Sequence, residues 1–280
     1  MVVCMRPKPY LIPPRPETLI SLTSILQQSE PCLDAVVNII KADVSLFTVV
    51  MSTANSPVFS GASHFKSLHQ AVMRLGLKRL YTLTELILLR KSLSKVGRLD
   101  RFWDTSVEVA ELAARLAPQL TTENPDRAYA LGMLHDCGVP LMIESYSEYR
   151  EFLNSNEGLN HSTLSLKERA LFGVDHFTVG AEIAEAWQIS DDICDAIRVQ
   201  VDYPVALLNQ HDEVSESSKA LFCIVLLAKN ISDSYRRYWR LDSPLSQSYE
   251  LKPALEYLGL PDMDYLDIRD DYLDELEMIR

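Results

Sequence analysis

Apolar positions along this chain recur at intervals of three and four residues, and no stretch alternates with period two for long enough to argue a sheet. Between Glu17 and Leu99, Leu19, Leu22 and Leu26 form one stripe and Val36, Ile39 and Ile40 begin the next, which predicts a helical first half. Asn55-Ser56-Pro57 interrupts the pattern, and the segment through Gly61 and Ser63 is predicted to be a surface loop. Trp103, Val107, Ala110 and Ala114 predict a long helix after Phe102 that Pro118 ends. A further helix is predicted to start with Asn124 as cap, Pro125 at its first position and Asp126 in its first turn. Gly138 is its predicted stop, so that His135 and Asp136 occupy the last turn. Val179, Ile183 and Trp187 mark another amphipathic helix, with His176 one step before them, and Leu221 to Ala228 reads as a deeply buried one. Tyr265, Ile268, Tyr272, Leu276 and Ile279 give the C-terminal segment one apolar face, which predicts a docked surface helix or, alternatively, a partner-binding tail. Met1 to Pro16 holds five of the fourteen prolines and reads as an extended arm.

Composition narrows the function classes. With 280 residues, 47% of them hydrophobic and 24% charged, the chain can bury a large core, and disorder, collagen and coiled coil are excluded. The longest apolar run falls far short of the roughly 18 residues of a membrane span, and the N-terminus lacks a charged segment leading into an apolar one. A cytoplasmic protein without a membrane partner is expected. Cys4, Cys32, Cys137, Cys194 and Cys223 are scattered and never form a C-x-x-C pair, so they read as reduced, mostly core residues. None of the nine glycines forms a dinucleotide, P-loop or nucleophile-elbow signature. A formal charge of −12 disfavours a nucleic-acid partner, and Pro261 to Arg280 alone carries eight acidic residues against Arg269 and Arg280.

His135-Asp136 is the pair that suggests chemistry. A helix C-terminus gathers partial negative charge and unpaired carbonyls, which favours a cation beside an imidazole and a carboxylate. Adjacent helical residues point about 100° apart and a divalent ion wants four to six donors, so other helices must supply at least two. An isolated His-Asp pair is ordinarily structural.

The residues around the pair carry a resemblance. Ala130-Leu131-Gly132-Met133-Leu134-His135-Asp136-Cys137-Gly138 resembles the signature of the HD superfamily of metal-dependent phosphohydrolases, and the surrounding chain is similar to its HDOD branch, the HD-related output domains of bacterial signalling proteins. The likeness extends over about residues 11–230 and takes in Pro13-Pro14, Ala54-Asn55-Ser56, Leu75 to Leu80, Phe102-Trp103, and Glu168-Arg169 through Phe172-Gly173-Val174-Asp175-His176 to Gly180 and Trp187. It implies an all-α fold in which a helical N-terminal bundle packs on an HD-like helical core. On that basis residues 1–16 form the arm, 17–99 the N-terminal subdomain, 100–245 the HD-like core and 246–280 an acidic helical segment.

Catalytic HD enzymes, the resemblance implies, need a His on an early core helix, the adjacent His-Asp, and an Asp on a late helix. Here only the middle pair survives. The position resembling the first His is Thr105, with Asp104 beside it, and the one resembling the last Asp is Lys229 after Ala228. Thr is a poor ligand and a lysine ammonium has no lone pair to give. The expectation is that Lys229 replaces the metal's charge and pairs with Asp136, since an unpaired buried carboxylate costs several kcal/mol. The competing register uses Asp233, one turn beyond Lys229, so that Asp104, His135, Asp136 and Asp233 form an oxygen-rich site. His176 resembles a histidine of this branch but shares a face with Val179 and Ile183, where a satisfied core histidine is the ordinary reading. His64, His69, His161 and His211 have no evident sequence partners, and Lys78-Arg79 and Arg236-Arg237 with Tyr235, Tyr238 and Trp239 read as solvated faces before phosphate or base binders.

The reading that follows is a catalytically inactive HDOD regulatory protein with a degenerate metal site, acting on an unidentified signalling protein. No cofactor is expected, a divalent metal at His135 and Asp136 being the alternative. That alternative makes the chain a metal-dependent phosphohydrolase of a nucleotide or cyclic dinucleotide. A third reading keeps the cleft as a nucleotide sensor, with Lys229 facing the anion.

Overall fold

Helices account for all the regular secondary structure among the described residues, as the three-and-four spacing predicts. The computed structural model describes residues 9–60, 64–94, 99–208, 214–238 and 248–278. The first half contains α1 (Glu17–Leu26), α2 (Leu33–Ala42), α3 (Val44–Ala54), the single turn α4 (Pro57–Ser60), α5 (Leu68–Leu75) and α6 (Leu77–Leu93). The second contains α7 (Asp100–Leu120), α8 (Pro125–Leu134), α9 (Gly138–Ser145), α10 (Tyr149–Ser155), α11 (His161–Phe172), α12 (His176–Ala186) and α13 (Asp191–Val199). A 3₁₀ turn (Gln200–Asp202) leads to α14 (Tyr203–Leu208), α15 (Glu216–Tyr238), α16 (Ser248–Leu258) and α17 (Asp262–Met278).

Side-chain caps start several of these helices. Asp43, Ser67, Asn124, Asn160 and Asp175 each accept a hydrogen bond from a backbone N–H of the following first turn, at 2.7–3.2 Å. The four residues between α7 and α8 fold them into an antiparallel hairpin. The hairpin closes so tightly that a Cβ on Gly132 would lie 2.5 Å from the Ala110 Cα. Helix α15 packs along both, and its Ser232 hydroxyl donates to Glu108 of α7 at 2.6 Å. Its stretch Leu221 to Ala228 is buried throughout. One hydrophobic cluster joins Tyr10 at one end of the chain to Tyr272 at the other.

The arm lies along this body. The Trp187 indole N–H donates to the Pro13 carbonyl at 2.8 Å, and Tyr10 donates to Glu182 at 2.8 Å. Arg15 reaches Gln188 and, at 2.8 Å, the Tyr81 hydroxyl, with Glu85 at 3.9 Å. At the other end α17 is docked: Tyr265 and Tyr272 are buried, Tyr265 donates to Asn230 at 2.7 Å, and Arg115 lies over the Tyr272 ring. The Leu276 side chain and Ile279 lie outside the described residues, as do Cys4, His211 and Trp239. No single helix among the described residues is long and apolar enough to cross a membrane.

Three boundaries differ from the sequence expectation. Pro57 does not open a bare loop but starts the turn α4, which buries Phe59 against Tyr129; residues 61–63 lie outside the description. Pro118 does not end α7, which runs two residues further, because a proline in a last turn removes one backbone bond without stopping the chain. Gly138 is not a stop. Helix α8 ends at Leu134, His135 to Cys137 form a turn, and Gly138 opens α9.

The reason for glycine there is room. A Cβ at Gly138 would lie 1.9 Å from the His176 carbonyl oxygen and 2.7 Å from the Gly180 nitrogen, all of it backbone that cannot turn aside. Gly138→Ala is therefore expected to destabilise the protein by about 3 kcal/mol, read from urea unfolding. A second expectation concerns Glu85, which is 7% exposed and whose burial pushes its carboxyl up to about 7 against the opposing pull of Tyr81 and Arg15. A raised carboxyl is stabilising while protonated and loses that contribution as pH rises through about 7. The wild type should thus lose on the order of 2 kcal/mol between pH 5 and pH 8, and Glu85→Gln should flatten that slope in thermal melts.

Candidate functional site

The turn between α8 and α9 delivers His135 and Asp136 to a polar cluster where several helices meet. His135 is buried, and both its ring nitrogens face oxygen acceptors: Nδ1 lies 2.6 Å from the Gly132 carbonyl and Nε2 lies 3.1 Å from Asp136 Oδ2. Gln200, in the 3₁₀ turn after α13, donates to the His135 carbonyl at 2.7 Å and fixes the turn from the other side. From α15, Lys229 Nζ donates to Asp136 Oδ2 at 3.0 Å.

The close approach at Gly138 sets His176, the first residue of α12, beside the same carboxylate, with Nε2 3.8 Å from Asp136 Oδ1. Its Nδ1 lies 2.8 Å from both oxygens of Glu168, and its backbone N–H donates to Glu168 Oε2 at 3.1 Å. Glu168 is fully buried on α11 and also accepts from the Tyr149 hydroxyl of α10. His161 packs its ring against Phe177 and Tyr203, and its buried Nδ1 has no partner among the described residues. Asp136 Oδ1 is in the same condition.

The charges set the protonation of this cluster. Burial alone would push Asp136 up, but the His135 and Lys229 charges outweigh it and hold the carboxyl well below the usual carboxylate range. Asp136 is therefore an anion at neutral pH. For His161, burial and then the neighbouring Lys229 ammonium push the imidazole down to about 3, so it is neutral. Burial, together with the Glu168 carboxylate, pushes the Tyr149 phenol up, which keeps it a hydrogen-bond donor.

The structure thus brings together His135, Asp136, His176 and Lys229. Thr105 and Asp104 form no hydrogen bond or ion pair with these four groups. Thr105 is half-buried and donates to the Arg101 carbonyl at 2.8 Å, and Asp104 is exposed. The neighbouring Ser106 is buried, 2% exposed, and its hydroxyl donates to the Phe102 carbonyl at 3.1 Å. Asp233 lies half-buried on α15. Among the described residues no group of three or more His, Cys, Asp or Glu side chains is disposed to hold a metal ion.

A divalent cation does not fit this donor set. The Lys229 ammonium already stands on the carboxylate a metal would need, His135 directs both ring nitrogens at oxygen, and Thr105 offers only a hydroxyl engaged by its own helix. Sequence reasoning did not assign roles to Glu168, Tyr149 and Gln200, which meet the pair only through tertiary packing of α10, α11 and α13. Of the basic clusters, Arg79 is taken up by Asp126 at 2.7 Å and by the Phe59 ring, while the side chains of Arg236, Arg237 and Tyr238 lie outside the described residues.

Comparison with known proteins agrees with the all-helical fold. A structure from Shewanella amazonensis named "Putative phosphohydrolase" is 22% identical, aligned over 94% of this chain and 90% of that one, with a TM-score of 0.65. An HDOD domain protein of unknown function from Geobacter sulfurreducens is 24% identical over 95% and 89%, TM-score 0.60. A structure from Marinobacter aquaeolei named "Putative signal transduction protein" is 22% identical over 95% and 57%, TM-score 0.63. At these identities the likeness shows the fold. An uncharacterized protein of Treponema pallidum is 23% identical over 198 residues, 70% of this chain but 38% of that protein's length. The HDOD domain family model matches residues 12–203, the arm's Ile12 through the helices that enclose His135 and Asp136, and the chain belongs to the HDOD family.

Proposed function

We propose that this chain is a regulatory HDOD protein without hydrolytic turnover, acting in a bacterial, cytoplasmic signalling pathway by binding a partner protein. The observation that carries this reading is the 3.0 Å contact between Lys229 Nζ and Asp136 Oδ2. An ammonium there supplies the positive charge that the buried carboxylate requires, and it repels a divalent ion instead of coordinating one. The name of the Marinobacter neighbour points to signal transduction and that of the Shewanella neighbour to phosphohydrolysis. The donor set favours the first.

In this reading the cluster is a structural joint. His135, Asp136 and Lys229 hold the α8–α9 turn to α15, while Glu168, His176 and Tyr149 hold α12 to α11 and α10. Two experiments test it. Mass spectrometry of protein purified without chelator, then challenged separately with manganese, iron, nickel and zinc, should find no stoichiometric ion, and p-nitrophenyl phosphate and its diester should be turned over no faster than by His135→Ala. A bound ion and a turnover that His135→Ala both removes would overturn the reading and restore the hydrolase.

The second experiment addresses the pair itself. Lys229→Met leaves Asp136 buried with one cationic neighbour fewer and should cost about 2 kcal/mol at pH 7 in urea unfolding. Asp136 is a depressed carboxyl, so its contribution is present above the usual carboxylate pKa of about 4 and is lost as pH falls through its lower folded value. The gap between wild type and Lys229→Met should therefore narrow below about pH 4. A gap independent of pH would show that the ion pair is not what the substitution removes.

A further inference from the structure

Beside the polar cluster, on its α10 side, runs an open groove of about 580 Å³. Its floor is built from Tyr146, Phe152 and Phe172, with Leu171 at the edge, and its rim carries Glu148 and Glu151 with the polar Ser155 and Asn156. The floor is rigid. Phe152 and Phe172 pack edge to face at 5.3 Å, Tyr149 packs against both from beneath, and the Tyr146 hydroxyl is tied to the Phe172 carbonyl at 3.0 Å. Leu171 stands 67% exposed at its edge, a large apolar side chain left in water. The two rim carboxylates are exposed, and among the described residues neither has an ion-pair partner; the exposed Lys167 ammonium of α11 donates instead to Asn156 at 2.7 Å.

The charge of this rim selects the occupant. Anionic lipid and nucleic-acid phosphate are repelled by the two carboxylates, as they are by the whole chain at −12. A second copy of the chain would bring a strongly acidic surface to an acidic rim. A small molecule needs enclosure on most of its surface, which an open trough does not give. An amphipathic helix or strand offering apolar side chains flanked by lysine or arginine matches both the floor and the rim.

We propose that this groove docks a cationic amphipathic segment of a partner protein, with its apolar side chains on Phe152, Leu171 and Phe172 and its basic ones facing Glu148 and Glu151. This inference rests on the partner-binding half of the proposed function and names the chemistry of that partner. Tyr149 links the two regions physically: its ring supports the groove floor and its hydroxyl donates to Glu168 in the polar cluster.

The test uses the full chain and a fluorescein-labelled synthetic amphipathic helix of leucine and lysine, read by anisotropy, with a leucine–glutamate helix as its control. The basic peptide should bind and the acidic one should not. Glu148→Lys with Glu151→Lys should weaken binding at least about tenfold, as should Leu171→Asp. Asp262→Lys with Asp264→Lys, which makes the same change in net charge on the exposed face of α17, should alter it by less than about twofold. All these positions are exposed, so folding is expected to survive and is checked by thermal melts. No binding of the basic peptide, equal effects of the two charge reversals, or a wild-type dimer in sedimentation that Leu171→Asp dissolves would overturn the proposal. Metal content and turnover do not enter this readout: a hydrolase that binds the peptide would remove the non-catalytic reading alone, and an inactive protein that does not bind would remove the groove alone.

Discussion

A buried carboxylate that has to remain charged is the constraint on which the second half of the molecule depends. Asp136 sits in a turn between two helices, 19% exposed at its side chain, and removing such a group from water costs several kcal/mol unless cations come to it. The neighbours of Asp136 come from separate elements: the His135 ring from the turn itself, the Lys229 ammonium from α15, and the His176 ring from the start of α12. Each of these helices must therefore hold its place to within a hydrogen-bond length. The cluster then continues outward through Glu168 to Tyr149, so that α10 and α11 are registered against the same point.

Packing and charge act on this arrangement together. The imidazole of His176 reaches Asp136 because α12 begins directly over Gly138, and it begins there because glycine leaves the space its carbonyl occupies. Cys137, between the charged Asp136 and the small Gly138, is fully buried and donates its thiol to the Gly180 carbonyl at 3.5 Å. A side chain at Gly138 would push α12 away and lengthen the His176 contact, so a purely steric change would carry an electrostatic cost. The same steric logic holds across the hairpin, where Gly132 resting on Ala110 lets α7 and α8 approach closely.

Much of this was legible in the sequence where one physical signal dominated. The apolar spacing at three and four gives helices regardless of what they pack against, and Asn124-Pro125 gives a start because cap and first-turn geometry are local. The Lys229–Asp136 contact was within reach because the resemblance aligned the two positions and electrostatics supplied the reason to join them. Gly138 was not legible as an opening residue, since a glycine needed for close approach looks the same in sequence as one needed for a left-handed cap. Glu168 and Tyr149 carry no spacing that ties them to His135, because a turn and two helices separate them along the chain. The acidic C-terminal segment left two readings open, and burial of Tyr265 and Tyr272 decides for the docked helix over the described residues.

That decision bears on where a partner can be met. The apolar face of α17 is covered by α15 and by Arg115 and Gln119 of α7, so its exposed surface is mostly carboxylate, with Met263 exposed among the acidic residues. The arm is likewise engaged at Pro13 and Arg15 by Trp187, Gln188 and Tyr81. Charge alone gives attraction that salt screens within about 10 Å and little discrimination between partners, whereas specific docking needs apolar area excluded from water beside it. The α10–α11 groove combines the two, and it does so on aromatic side chains that the buried cluster already holds rigid through Tyr149. A surface fixed in advance does not have to be ordered on binding, which reduces the entropic cost of association. The polar cluster thus acquires a second consequence: it braces a wall of the molecule where aromatic and acidic side chains lie side by side.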